Sequence, residues 1–116
     1  MWIMSDFQMI DYKQKYMEFF MYYKGEFISS EISGEPAVDI HHIFPKGKGG
    51  DPSVKHDHIE NLIALTRKEH ELMGDKKHFR RFLFDMHRNR IMLLKPDHVF
   101  FFRSYDHFCE YYNNTI

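Results

Sequence analysis

The chain has 116 residues, of which 43% are hydrophobic and 17% aromatic, and a formal net charge of −1, a size that suits one compact domain. Its single cysteine, Cys109, excludes an intrachain disulfide and a thiolate zinc cage, so a cytosolic setting is the default and Cys109 reads as a small buried hydrophobe. No apolar run approaches ~18 residues, and Met1-Trp2-Ile3-Met4-Ser5-Asp6 meets charge too early for a signal peptide, so membrane insertion and export are not expected.

From Ser5 to about Tyr23, apolar Phe7, Ile10, Met17, Phe20 and Met21 recur near helical spacing. Ser5 or Asp6 can cap the start, and Gly25 follows the end, so the pattern predicts an N-terminal helix within residues 1–25. Phe27 to Ser33 then reads as a strand, Ser33-Gly34-Glu35-Pro36 as a turn, and Val38 to Ile43 as a second strand. Pro45 to about Asp57, with three Gly and two Pro inside its first eight residues, predicts a surface loop. Leu62-Ile63-Ala64-Leu65 suits a buried strand. Thr66-Arg67-Lys68-Glu69 matches a capping box, predicting a helix that begins at Arg67 and stops at a left-handed Gly74. Asp75 is the expected cap of a further helix with Phe79, Phe82, Leu83 and Met86 on one face. A last helix after Pro96-Asp97 would carry Phe101, Tyr105, Phe108 and Tyr112, although Val99-Phe100-Phe101-Phe102 by itself equally suits a strand.

Charge is uneven along this path. Residues 41–95 hold twelve Lys and Arg against seven acids, while residues 1–40 hold three against seven and residues 96–116 one against three. The basic surplus coincides with the histidines, and Lys46, Lys48, Arg67, Lys68, Lys76, Lys77, Arg80 and Arg81 are the candidate contacts to a nucleic-acid backbone.

The residues with chemistry to offer are Asp39, His41, His42, Asn61 and His70. Neighbours on a strand point to opposite sides, so one of His41 and His42 can reach a metal against the following helix while the other faces substrate. His70, one turn into that helix, can supply a second imidazole. Phosphodiester hydrolysis needs a base to deprotonate water and a cation to neutralise phosphoryl charge, and a neutral histidine suits the base role. The Asn61 amide can brace the backbone of the histidine-bearing loop, or its oxygen can enter the metal shell. Asp39, on the strand face of His41, is either a partner of a metal-binding histidine or a surface carboxylate.

Three segments carry a family resemblance: Pro36-Ala37-Val38-Asp39-Ile40-His41-His42-Ile43, the glycine-rich Lys46-Gly47-Lys48-Gly49-Gly50, and Glu60-Asn61-Leu62-Ile63-Ala64-Leu65 followed by His70. Over roughly residues 28–74 the chain resembles the HNH endonucleases of the ββα-metal (His-Me finger) fold, and its layout is similar to small stand-alone HNH proteins of phages and mobile elements. The resemblance implies an α+β fold with a ββα-metal core at 26–74, flanked by aromatic-rich helices at 1–25 and 75–116. It also implies a DNA endonuclease leaving 5′-phosphate and 3′-hydroxyl ends, with His42 as general base, Asn61 as the middle motif residue, and His41 and His70 as metal ligands.

Many relatives hold a structural zinc with two Cys-x-x-Cys pairs, where this chain has Ser30-Glu31-Ile32-Ser33 and Thr66-Arg67-Lys68-Glu69. No structural zinc is therefore expected, its place being taken by packing and the capping box. Some relatives add a histidine ligand four residues after the last, where this chain has Gly74, which implies an open shell completed by water or phosphate oxygen, with or without Asn61. Imidazole ligands favour Mn2+, Ni2+ or Zn2+ over Mg2+; Mn2+ is the first choice and Mg2+ stays open. The expected partner is DNA, with a homodimer or phage and mobile-element machinery as further partners. The alternative reading is an HNH-fold DNA-binding or packaging-accessory module that does not cut.

Overall fold

A computed structural model describes residues 11–46 and 55–113. The fold is mixed α+β: α1 (Tyr12–Phe19), β1 (Asp39–His42), β2 (Leu62–Leu65), α2 (Arg67–Met73), α3 (Arg80–Leu94) and α4 (Tyr105–Asn113), with single turns of 3-10 helix at Lys55–Asp57, Ile59–Asn61 and Lys77–Phe79. β1 and β2 form an antiparallel pair in which Asp39 faces Leu65, Ile40 faces Ala64, His41 faces Ile63 and His42 faces Leu62.

The register sorts side chains into two layers. Ile40, Leu62 and Ala64 pack with Tyr16 of α1 and with Ile28; Ile63 and Leu65 pack with Met73, Leu83, Phe84, Phe102, Phe108 and Tyr112 of the C-terminal helical half. All four residues of β2 are fully buried, worth ~1.5–3 kcal/mol for each of its larger aliphatic side chains, so β2 is sandwiched between the layers. The period of two then forces His42 onto the α1 side and His41 onto the α2 side.

Helix α2 follows the sequence closely. Thr66 Oγ1 accepts from Glu69 N–H at 3.0 Å and Glu69 Oε1 accepts from Thr66 N–H at 2.9 Å, a complete capping box. Its end differs: Gly74 has φ −55°, so it is not the expected left-handed terminator. Glycine is needed there for close approach, because a Cβ would collide with the His70 ring.

Other expectations are corrected. The N-terminal helix is shorter within the described residues, capped by Asp11, whose carboxylate accepts from Gln14 N–H at 2.8 Å; the Ser5 or Asp6 cap lies outside them. That helix ends at Phe19, and Met21 takes the left-handed position at φ 63°. Phe27–Ser33 is not a strand and contributes one isolated bridge, Ser29 to Pro36. Ser30 Oγ accepts from the N–H groups of Ile32 and Ser33 and so turns the chain.

Asp75 does not cap the next helix, which enters through the Lys77–Phe79 turn without a side-chain cap. On that helix Phe82 is exposed, while Leu83, Phe84, His87 and Ile91 are buried. Val99–Phe102 is neither helix nor strand. The buried Glu60 carboxylate accepts from Phe101 and Phe102 N–H at 2.8 and 3.0 Å, taking amides that regular structure would use, and the last helix starts only at Tyr105. Cys109 is half-buried against the core. No helix among the described residues is long and apolar enough to cross a membrane.

Candidate active site

Where β1 runs out between α1 and α2, an open cleft of about 300 Å³ is bordered by Tyr12, Asp39, His41, His42, Lys46, His70 and Asp75. His42 lies at its α1 edge. Its Nε2 is 2.8 Å from Asp57 Oδ1, and its ring meets Tyr12 edge-on at 4.6 Å. A carboxylate only accepts, so Nε2 carries the hydrogen and Nδ1 keeps the basic lone pair. Burial pushes His42 below its ordinary pKa, with Asp57 pulling part of the way back. The ring is therefore neutral at neutral pH and able to take a proton.

His41 is 7% exposed, and its ring stands 4.9 Å from that of His70. Burial, then the neighbouring His70, lowers its pKa to about 4, which leaves it an unprotonated donor. Asp39 Oδ2 lies 3.3 Å from His70 Nδ1, so Asp39 partners His70 across the β1–α2 contact. On the other side of that ring, Asp75 Oδ2 is 3.8 Å from Nε2. His41, His70 and Asp75 each offer a ligand atom within 4.8 Å of the others, a donor set compatible with a divalent cation.

Asn61 is fully buried and its amide is spent on backbone. Oδ1 accepts from Phe44 N–H at 2.6 Å, while Nδ2 donates to Phe44 O at 3.1 Å and to His56 O at 2.8 Å. These bonds fasten the chain on both sides of the loop that leaves His42. Of the two roles open to Asn61, the geometry realises the brace; the expectation of Asn61 as a metal ligand gives way to it, because the amide oxygen is turned onto Phe44 N–H.

The basic residues divide. Lys46 borders the cleft and lies 3.4 Å from Asp57 Oδ1. Lys76 and Arg80 flank His41, Gly74 and Asp75 from the α3 side, with the Arg80 guanidinium 4.3 Å above the Phe44 ring. Arg81 pairs with Asp85 along α3 at 3.6 Å. Arg67, Lys68 and Lys77 are exposed and do not line the cleft, and Lys48 lies outside the described residues.

Sequence reasoning missed Asp57 and Asp75. Asp57 had a weak signal, as the only acid in the Lys55–His58 run that closes the loop after His42. Asp75 had a competing signal, as the acid after Gly74 that suits a helix cap.

Ser30, Ser33, Thr66 and Glu69 also converge. Ser30 Oγ donates to Glu69 Oε1 at 2.6 Å, and Glu69 completes the capping box with Thr66. Burial would raise the Glu69 carboxyl, but hydrogen bonds from Ser30, Thr66 and Ser33 outweigh it and hold Glu69 below the usual range.

No family model matches the chain, and no curated protein or solved structure is significantly similar to it.

Proposed function

We propose that this protein is a metal-dependent endonuclease of the HNH type, built on a ββα-metal core at residues 26–74, that hydrolyses DNA phosphodiester bonds. The observation that carries this reading is the division of labour across β1. His42 on one sheet face is held by Asp57 with Nδ1 as its basic nitrogen, while His41 on the other face pairs with His70, and all three histidines border one cleft.

In this reading His42 Nδ1 takes the proton from the attacking water as its oxygen bonds to phosphorus, the P–O3′ bond breaks and the departing 3′-oxygen takes a proton from solvent, while Asp57 keeps the ring in the tautomer that allows it. His41 and His70 would hold one divalent cation, Mn2+ for preference, which when bound would neutralise charge on the phosphoryl oxygens. Asn61 keeps the loop, and so the base, in register. Lys46, Lys76 and Arg80 border the path of the phosphate backbone and position it without reading sequence. By the resemblance, the products carry 5′-phosphate and 3′-hydroxyl ends. One active centre per chain nicks one strand, and double-strand cutting requires a dimer or two encounters.

The test is incubation of supercoiled plasmid with the purified protein and Mn2+, Mg2+, Ni2+, Zn2+ or EDTA, beside His42→Ala. Metal-dependent nicking that His42→Ala abolishes in a folded protein is the expected result. Absence of cutting in every metal, or equal cutting by the variant, would overturn it.

A further inference from the structure

Two carboxylates flank His70, and their distances assign them different work. Asp39 Oδ2 is 3.3 Å from Nδ1, close to hydrogen-bond range, as in the carboxylate–histidine pairs that orient metal ligands. Asp75 Oδ2 is 3.8 Å from Nε2, too long for a hydrogen bond. That separation suits two atoms sharing one ion: at bond lengths of ~2.1 Å, ligands ~110–130° apart around a cation are ~3.4–3.8 Å from each other.

His41 contributes the third atom of the group, with all three inside 4.8 Å. Asp75 is 77% exposed, so its carboxylate can rotate inward over the remaining gap. Gly74 keeps that side of His70 open, since a Cβ there would lie 3.0 Å from Nε2 and closer still to the ring carbon.

We propose that Asp75 is a third protein ligand of the cation site, completing a two-histidine, one-carboxylate set with His41 and His70, while Asp39 orients His70 from outside. The inference rests on the metal-dependent reading above and goes beyond it by setting ion preference. A carboxylate hardens an otherwise all-imidazole set, which favours Mn2+ and Mg2+ relative to Ni2+.

Calorimetric titration of the metal-stripped protein with MnCl2 and with NiCl2 tests this without reference to cleavage. Wild type should bind one Mn2+ per chain. Asp75→Asn, folded by circular dichroism, should bind Mn2+ at least about tenfold more weakly and lose less affinity for Ni2+. Asp39→Asn, acting through His70, should weaken both ions alike. Mn2+ binding by Asp75→Asn within twofold of wild type would overturn the assignment and leave the two-histidine site standing. Failure of wild type to bind either ion saturably would overturn the assignment together with the cation reading.

Discussion

His42 and Asp57, fifteen residues apart with the glycine-rich stretch of sequence between them, are joined by a 2.8 Å contact between Nε2 and Oδ1. The side chains are 15% and 12% exposed, so the carboxylate holds the ring with little competition from water. Asp57→Asn keeps the shape but removes the charge that fixes the tautomer. Cleavage should fall ~10–100-fold, in kcat more than in KM, while Mn2+ affinity stays unchanged because Asp57 does not touch the His41–His70 group. Plasmid-nicking kinetics with metal titration on one preparation check this; a loss confined to KM would make Asp57 a substrate-binding residue instead.

A second buried pair governs stability. His87 is fully enclosed, with Nδ1 2.9 Å from Glu31 and Nε2 2.7 Å from Ile59 O. Both partners are acceptors, so both ring nitrogens must carry hydrogen and the ring is cationic. Burial alone would lower the His87 pKa, but Glu31, together with the Ile59 carbonyl and the nearby Glu60, more than reverses this and the net shift is upward. The sign follows. The folded state binds this proton more tightly than the unfolded chain, so the contribution is complete below ~6.5 and is lost as pH rises through the elevated folded value. Glu31→Gln should therefore cost about 3–5 kcal/mol at pH 6 and distinctly less at pH 9 in urea unfolding. An equal cost at both values would mean that the pair is not charged.

The meeting of Ser30, Ser33, Thr66 and Glu69 predicts a fold that does not depend on metal. Dialysis against EDTA should leave the far-ultraviolet circular dichroism unchanged, and subsequent Mn2+ should raise Tm only through the His41–His70 site. Ser30→Ala leaves Glu69 and the amides of Ile32 and Ser33 without their shared partner and should cost ~1–3 kcal/mol. Unfolding by EDTA alone would show that a metal does hold these segments together.

What could be read from the sequence was what depends on neighbours in the chain. The capping box at Thr66 and Glu69 is local, and so is the alternation that sends His41 and His42 to opposite faces; α2 and the histidine arrangement followed from these. The misread elements were decided from a distance. Ser30 turns the 27–33 segment while bonded to Glu69, thirty-nine residues on, and Glu60 takes the amides of Phe101 and Phe102 from about forty residues away. Asp57 and Asp75 reach the histidines only because of where the Lys55–Asp57 turn and the α2–α3 turn place them, and no periodicity marks such a path.

Gly74 connects these observations. Sequence reasoning assigned it to the end of α2 as a left-handed terminator, yet its φ of −55° is not left-handed. The constraint is space: a Cβ at this position would strike the His70 ring and lie 2.5 Å from the His70 carbonyl oxygen. Gly74→Ala must therefore displace the imidazole from between Asp39 and Asp75 or shift the end of the helix. Overpacking of this kind typically costs ~1–3 kcal/mol. The functional effect should be larger than the loss of stability implies, because His70 is displaced directly while β1, His42 and Asp57 are untouched. We expect Mn2+ affinity and nicking to fall together by at least about tenfold, with excess Mn2+ restoring part of the nicking. Glycine required only to end the helix would instead give a less stable protein with unaltered Mn2+ affinity.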